Sequence, residues 1–182
     1  NFIQKFPTGK KIIYISYGTF INDDLSFYAM CIEAFRGSEY QVIISLGNRH
    51  DPTIFSNVPQ NIIIKKYVNQ LEILKRTSLF ISHGGMNGVS ESLYYGVPML
   101  LIPETEEQRF NALRVQQTGA GIVLKKRGLT SDIIHDMTEK LLYDPKFVKN
   151  AKKQQELFRK SGGYKKAADE IEGCLNKATL VQ

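Results

Sequence analysis

Residues 83–91 contain the side chains whose types and spacing best suit chemistry. They read His-Gly-Gly-Met-Asn-Gly-Val-Ser-Glu and directly follow the apolar run 79–82. If that run is a strand and a helix begins near Asn87, the paired glycines allow a tight turn, and the free N–H groups at the helix start form an anion site. His83 can then donate a hydrogen bond to a phosphate, and Glu91 lies on the same helix face as Asn87, where a carboxylate suits a ribose diol. A glycine-rich connection with a capping Asn and a solvated Glu is the simpler alternative, but it leaves the joint placement of these residues unexplained.

Two other segments combine an apolar run with polar groups at its end. Residues 16–19 (SYGT) offer Gly18 for a turn and Thr19 as a hydroxyl for a phosphate oxygen, although an ordinary strand-to-helix turn would look the same. Residues 67–70 (YVNQ) offer an aromatic ring that can stack on a base and an amide for sugar hydroxyls. Taken alone, residues 67–70 are more typical of a core tyrosine and a solvated glutamine.

Residues 103–108 (PETEEQ) follow a further apolar run and lead into a helical pattern. Glu107 and Gln108 can accept and donate hydrogen bonds to hexose hydroxyls, or the acids simply favour the start of a helix. No phosphate-binding G-x-x-x-x-G-K-[ST] motif, no metal-ligand spacing among the three histidines and two cysteines, and no Ser/His/Asp nucleophile pattern is present.

The elements that must position these loops alternate along the first 125 residues. Continuous β-branched apolar runs predict strands buried on both faces at 11–17, 41–46, 61–66, 79–82, 98–102 and 121–124. Helical patterns separate them at about 23–36, 70–77, 87–96 and 106–118. This alternation predicts a Rossmann-like, doubly wound α/β fold with about six parallel strands, whose ligands bind beyond the carboxyl ends of the strands.

Residues 130–178 are predicted to be helical, with Thr130 and Ser131 as candidate caps and breaks at Pro145 and at 161–163. Within this part, 146–177 holds nine Lys/Arg and four acids, so it carries +5 of the net charge of +6. Beyond Phe147, Phe158 and Tyr164, the basic residues lack interleaved stacking aromatics, which argues against nucleic-acid binding. Contact with a membrane surface is compatible with these helices, but nothing in the sequence requires it.

The 182 residues, 42% hydrophobic and 23% charged, fit one globular domain over 1–182 and exclude a disordered or fibrous protein. No apolar run is long enough to span a bilayer. Two cysteines, Cys31 and Cys174, do not make a disulfide framework, so we expect a reducing, cytoplasmic setting.

Four motifs in order between residues 11 and 124 carry a family resemblance: YISYGT, YVNQLEIL, ISHGGMNGVSESLYYGVPMLLIP and EEQRFNALRVQQTGAGIVL. Together they resemble the C-terminal, donor-binding domain of a family 1 UDP-dependent glycosyltransferase with the two-domain GT-B fold, of the bacterial macrolide glycosyltransferase type. Tyr67 stands where the family usually has Trp, Asn69 where it has Pro, and Gly88 where Ser is frequent. The usual Asp-Gln pair is Glu107-Gln108.

The resemblance implies a UDP-sugar as substrate, no cofactor and no metal, and it assigns a part of the donor to each candidate residue. For the diphosphate, Thr19 and His83 contact the β-phosphate, and the amides of Asn87 and Gly88 hold the α-phosphate. For the nucleoside, Tyr67 stacks on uracil, Val68 offers its backbone to the edge of uracil, and Gln70 and Glu91 contact the ribose. Glu107 and Gln108 face the hexose, and Gly18 and Gly85 shape the turns.

The resemblance also implies that a second, N-terminal domain is needed for activity. In such enzymes the acceptor pocket and the general base lie on an N-terminal domain, and no catalytic base is expected among these residues, so we expect the chain to be inactive alone. A naturally separate donor-binding subunit that acts with a partner chain, and a non-catalytic nucleotide-sugar sensor, are the alternatives. A GT-B epimerase fits the HGGMN and EEQ segments less well.

Overall fold

The computed structural model describes residues 9–18, 24–48 and 50–179, with side chains through Cys174. The strands are β1 (Ile12–Ser16), β2 (Gln41–Ser45), β3 (Ile62–Lys65), β4 (Leu79–Ser82), β5 (Met99–Leu101) and β6 (Gly121–Val123). The helices are α1 (Leu25–Ala34), α2 (Gln70–Leu74), α3 (Met86–Tyr95), α4 (Glu106–Gln117), α5 (Ser131–Tyr143), α6 (Pro145–Lys160) and α7 (Gly163–Thr179), with a short 3-10 turn at Pro52–Ile54.

All six strands form one parallel sheet in the order β3-β2-β1-β4-β5-β6. This is the doubly wound order predicted from the alternating sequence pattern, so the Rossmann-like α/β fold is confirmed. The chain winds outward from β1 to β3, returns to β4 beside β1, and then winds outward again to β6. The adjacent carboxyl ends of β1 and β4 therefore mark the point where the winding direction reverses.

Hydrophobic cores lie on both faces of the sheet. Alternate residues of β1 serve the two cores: Ile13 and Ile15 pack in one, and Ile12 and Tyr14 pack in the other. The first core includes residues of α1 and α5, and the second includes residues of α2, α3, α4 and α6. Burial on both faces explains why the strands read as continuous apolar runs rather than as alternating patterns.

The helices begin and end close to their sequence signals. Thr130 caps α5 by accepting a hydrogen bond from the Ile133 N–H, as predicted, and Asp144 ends α5 and caps α6. The predicted end of the helix over 70–77 is wrong by three residues, because α2 ends at Leu74. The chain then turns, and Thr77 Oγ1 donates to the Ile73 carbonyl at 2.8 Å. Within the described ranges, no helix is both long and apolar enough to cross a membrane.

Candidate functional site

A cleft of about 750 Å³ opens at the carboxyl ends of β1 and β4, where the sheet reverses its winding. Eleven of the twelve residues predicted for the site line this cleft: Gly18, Tyr67, Val68, Gln70, His83, Gly85, Asn87, Gly88, Glu91, Glu107 and Gln108. Thr19 lies outside the described residues. The fold therefore brings together loops that are up to 90 residues apart in the sequence, and the binding role of each residue stays a prediction.

His83 is half-buried, lines the cleft and lies between two glycines. A methyl group on Gly18 would lie 2.9 Å from His83 Cε1, and one on Gly85 would lie 2.6 Å from His83 Nε2. Gly18 also has φ +93°, a conformation that other residues rarely adopt. The glycines do more than permit tight turns, because they leave the space in which the imidazole ring lies.

The remaining contacts of His83 fix its charge and position. Its Nδ1 lies 3.4 Å from Ser82 Oγ, and its ring centroid is 5.7 Å from that of Tyr17. Burial lowers the pKa of His83 below its usual range, although the nearby Glu104 and Glu107 oppose part of this shift. His83 is therefore neutral at pH 7, with one ring N–H to donate.

Helix α3 points its N-terminus into the cleft. Gly85 is the N-cap residue, and in the described structure no side chain caps this helix end. The N–H groups of the first turn, which include those of Asn87 and Gly88, therefore face the cleft with the positive end of the helix dipole. A Cβ at Gly88 would lie 3.3 Å from the Phe80 ring, so a serine here would press on the aromatic ring beneath it.

Polar side chains that follow β3 and lie on α3 contact each other in the cleft. Gln70 Nε2 donates to Glu91 Oε2 at 2.7 Å, so the two predicted ribose partners contact each other. Tyr67 is 70% exposed, whereas Val68 is buried, so the tyrosine ring is available for stacking rather than part of the core. Asn69, in place of the usual proline, caps α2 by accepting from the Glu72 N–H.

Gln108 on helix α4 has a structural role as well as a place in the cleft. Gln108 is buried, and its Oε1 accepts from the backbone N–H groups of Glu104 and Thr105 at 2.9 and 3.2 Å. The bond from the Thr105 N–H and the bond from the Gln108 N–H to Thr105 Oγ1 make a capping box. Only the amide nitrogen of Gln108 remains for a ligand, a restriction that the Thr105-x-x-Gln108 spacing could have revealed.

Asn111 connects α4 to the glycine loop. Its Nδ2 donates to the Gly84 carbonyl at 3.2 Å and to Glu107 Oε1 at 3.3 Å. Gly84 has φ +88°, and a Cβ there would lie 3.0 Å from the Gln108 carbonyl oxygen. The close approach of Gly84 to α4 thus holds the loop that carries His83 and Gly85.

The sequence patterns did not identify several cleft residues inside the strands. Ser45, Ser16 and Ser82 lie side by side at the last register positions of β2, β1 and β4, and all three line the cleft. Tyr14 and Phe80, paired two register positions before Ser16 and Ser82, also line it. Counting register from the strand ends could have found the serines, whereas Tyr14 looks like any other residue of an apolar run.

The described residues include no group of three or more His, Cys, Asp or Glu side chains placed to hold a metal ion. That observation does not test the expectation of metal-free donor binding. A second, smaller cleft of about 570 Å³ lies beyond the ends of β5 and β6 and is lined by residues between Pro103 and Arg127. It shares no lining residue with the first cleft.

The family model described as UDP-glucoronosyl and UDP-glucosyl transferase matches residues 2–161. The chain belongs to this family. The resemblance drawn from the four sequence motifs is therefore confirmed, and the matched range contains every candidate site residue.

Similar proteins include bacterial glycosyltransferases. The chain is 41% identical over 171 residues to an NDP-glycosyltransferase, YjiC, of Bacillus licheniformis, covering 94% of this chain and 43% of that protein. It is 29% identical to the demethyllactenocin mycarosyltransferase of Streptomyces fradiae, covering 96% of this chain and 38% of that one. The crystal structure of CalG4, the calicheamicin glycosyltransferase, superposes with a TM-score of 0.89 at 27% identity, over 93% of this chain and 44% of that one. The chain thus spans less than half the length of these relatives.

Proposed function

We propose that this chain is the UDP-sugar-binding part of an inverting glycosyltransferase that moves a hexose from a UDP-sugar to an acceptor hydroxyl. The observation that carries the proposal is the convergence of three kinds of group on one cleft. The α3 N-terminus and His83 suit a diphosphate, the Gln70–Glu91 pair suits a ribose, and the exposed Tyr67 suits a base.

The diphosphate end of the cleft would stabilise the leaving group. When the bond between the hexose and the diphosphate breaks, negative charge grows on the β-phosphate. The α3 N-terminus and His83 both line this cleft, so they would stabilise the developing charge without reorganisation. His83 is fully used in this role, and the acceptor must lose its proton to a different group.

The nucleoside end would supply orientation. The Glu91 carboxylate accepts from a ribose hydroxyl, and Tyr67 stacks on uracil, which is worth about 1–3 kcal/mol in comparable sites. Glu107 and the free amide nitrogen of Gln108 lie at the same cleft and would contact the hexose. The donor is thereby held at both ends, with its anomeric carbon between them.

The acceptor pocket and the general base would come from a second unit, either an N-terminal domain of the same protein or a partner chain. This fits the coverage of only 43% of a similar NDP-glycosyltransferase. We further infer a cytoplasmic location, which suits the free thiols of Cys31 and Cys174.

Calorimetry of the chain with UDP tests the proposal. We expect binding that weakens in Glu91→Ala, whereas Glu106→Ala, at a side chain that is 86% exposed on α4, serves as the matched control and leaves the affinity unchanged. The absence of binding at millimolar UDP would refute the donor-binding role. Sugar transfer by the chain alone would refute the need for a second unit.

A further inference from the structure

A chain of hydrogen bonds runs from the core of the sheet to the cleft. Tyr14 Oη donates to Gln70 Oε1 at 3.0 Å, and Gln70 Nε2 donates to Glu91 Oε2 at 2.7 Å. A carboxylate has no proton to donate, so Gln70 must turn its nitrogen towards Glu91 and its oxygen towards Tyr14. Each bond therefore fixes the direction of the next.

Tyr14 is held rigidly at the inner end of this chain. It lies on β1 opposite Phe80 of β4, is 1% exposed, and stacks on the Phe80 ring with centroids 5.0 Å apart and planes 9° apart. Burial raises the pKa of Tyr14 to about 12, and hydrogen bonds with Ser16 and Ser45 only partly oppose it. The hydroxyl therefore keeps its proton and acts as a donor over the working pH range.

The outer end of the chain is the group that would recognise the sugar of the nucleotide. Glu91 is half-buried on α3 and lines the cleft, and Gln70 occupies one of its two carboxylate oxygens. The side chain of an unsupported glutamate has several rotatable bonds, so it must be ordered before it can accept from a hydroxyl at a defined place. The bond from Gln70 provides that order before the ligand arrives.

We propose that Tyr14 is a positioning residue for ribose recognition, which acts through Gln70 on Glu91 and sets the preference of the site for ribonucleoside over deoxyribonucleoside diphosphates. This inference rests on the proposed function, since it requires a nucleoside diphosphate in the cleft. Tyr14 itself does not contact the ribose. Its effect appears in how strongly the site distinguishes nucleotides that differ by one sugar hydroxyl.

The test is calorimetry of the chain with UDP, 2′-deoxy-UDP and 3′-deoxy-UDP. For the wild type we expect UDP to bind about tenfold or more tightly than at least one deoxy analogue, as for a hydrogen bond to a charged group. Tyr14→Phe keeps the ring and its stacking on Phe80 but removes the hydroxyl. It should weaken UDP binding by about five- to tenfold and that of the discriminated analogue by less than about twofold.

Tyr40→Phe is the matched control. Tyr40 is also a buried tyrosine, but its hydroxyl donates to Glu139 and it does not line the cleft. We expect this variant to lower stability without changing the ratio of the UDP and deoxy-UDP affinities. If Tyr14 had a purely structural role, Tyr14→Phe would likewise lower stability without changing the ratio of the UDP and deoxy-UDP affinities.

The outcomes separate the two proposals. If the wild type does not bind UDP, the proposed function fails. If the wild type discriminates between the analogues and Tyr14→Phe keeps that discrimination, the positioning role is overturned while the function stands. Gln70→Met breaks the same chain at its middle member and covers the case in which Tyr14→Phe does not fold: unchanged discrimination in Gln70→Met overturns the positioning role as well.

Discussion

Gly85→Ala should displace the His83 ring while leaving the fold intact. The added methyl carbon would lie 2.6 Å from His83 Nε2 and 3.1 Å from Cε1. Atoms in contact lie roughly 3.5–4.0 Å apart, so the ring must move by about 1 Å. A hydrogen bond of about 2.9 Å from this ring to a phosphate would then exceed the 3.5 Å at which such bonds are lost.

The size of the effect follows from the lost bond. A hydrogen bond to a charged group contributes about 1.5–3 kcal/mol, so the Kd for UDP should rise about 10- to 150-fold. The backbone of Gly85, at φ −63° and ψ 144°, suits alanine. We therefore expect the free energy of unfolding to change by no more than about 1 kcal/mol.

Calorimetry with UDP and UMP, together with urea unfolding, measures both quantities. UMP lacks the β-phosphate that His83 is predicted to contact, so its affinity should change little. Gly173→Ala is the matched control, since a methyl group there meets nothing within 4 Å. In a His83→Ala background, Gly85→Ala should have no further effect. An unchanged Kd for UDP in Gly85→Ala, or additive effects of the two substitutions in the double variant, would show that Gly85 does not act through the position of the His83 ring.

Three further outcomes are expected. Tyr67→Ala should raise the Kd for UDP about 5- to 150-fold without loss of stability, because the ring is 70% exposed and offers a stacking face. Equal UDP affinity of wild type and variant by calorimetry would argue against stacking. Burial lowers the pKa of His83 in the folded state, so the unfolded chain takes up the proton first and the free energy of unfolding should fall as the pH drops below about 6.5. His83→Gln should flatten this pH dependence in urea unfolding measured from pH 8 to 5. An identical slope in the wild type and the variant would contradict the prediction. Thr138→Val should raise the free energy of unfolding by about 1 kcal/mol, because Thr138 Oγ1 is buried with no hydrogen-bond partner in the described structure. A lower midpoint of urea unfolding in the variant would show that the hydroxyl is needed.

The fold could be predicted from sequence because its signals are local. Each strand lies in a continuous apolar run and the separating segments have helical patterns, so the parallel doubly wound sheet follows from their order. The end of α2 at Leu74 was missed because Lys75 and Arg76 suit a helix as well as a turn, and tertiary contacts decide between them.

The position of the site could be predicted for a different reason. The carboxyl ends of parallel strands share one edge, so loops after β1, β3, β4 and β5 had to meet there. Contacts between side chains far apart in sequence could not be predicted. No pattern shows that Gly18 makes room for His83, 65 positions later, or that Tyr14 donates to Gln70.

The proposed function requires a nucleoside diphosphate to bind at the carboxyl ends of β1 and β4, where the sheet reverses its winding. The most direct measurement is an NMR titration of the 182-residue chain with UDP, following the backbone amide signals. Binding there predicts saturable shifts at Gly18, Val68 and residues 84–88, with the second cleft near Lys125 unaffected. Shifts confined to the second cleft, or none at millimolar UDP, would contradict it.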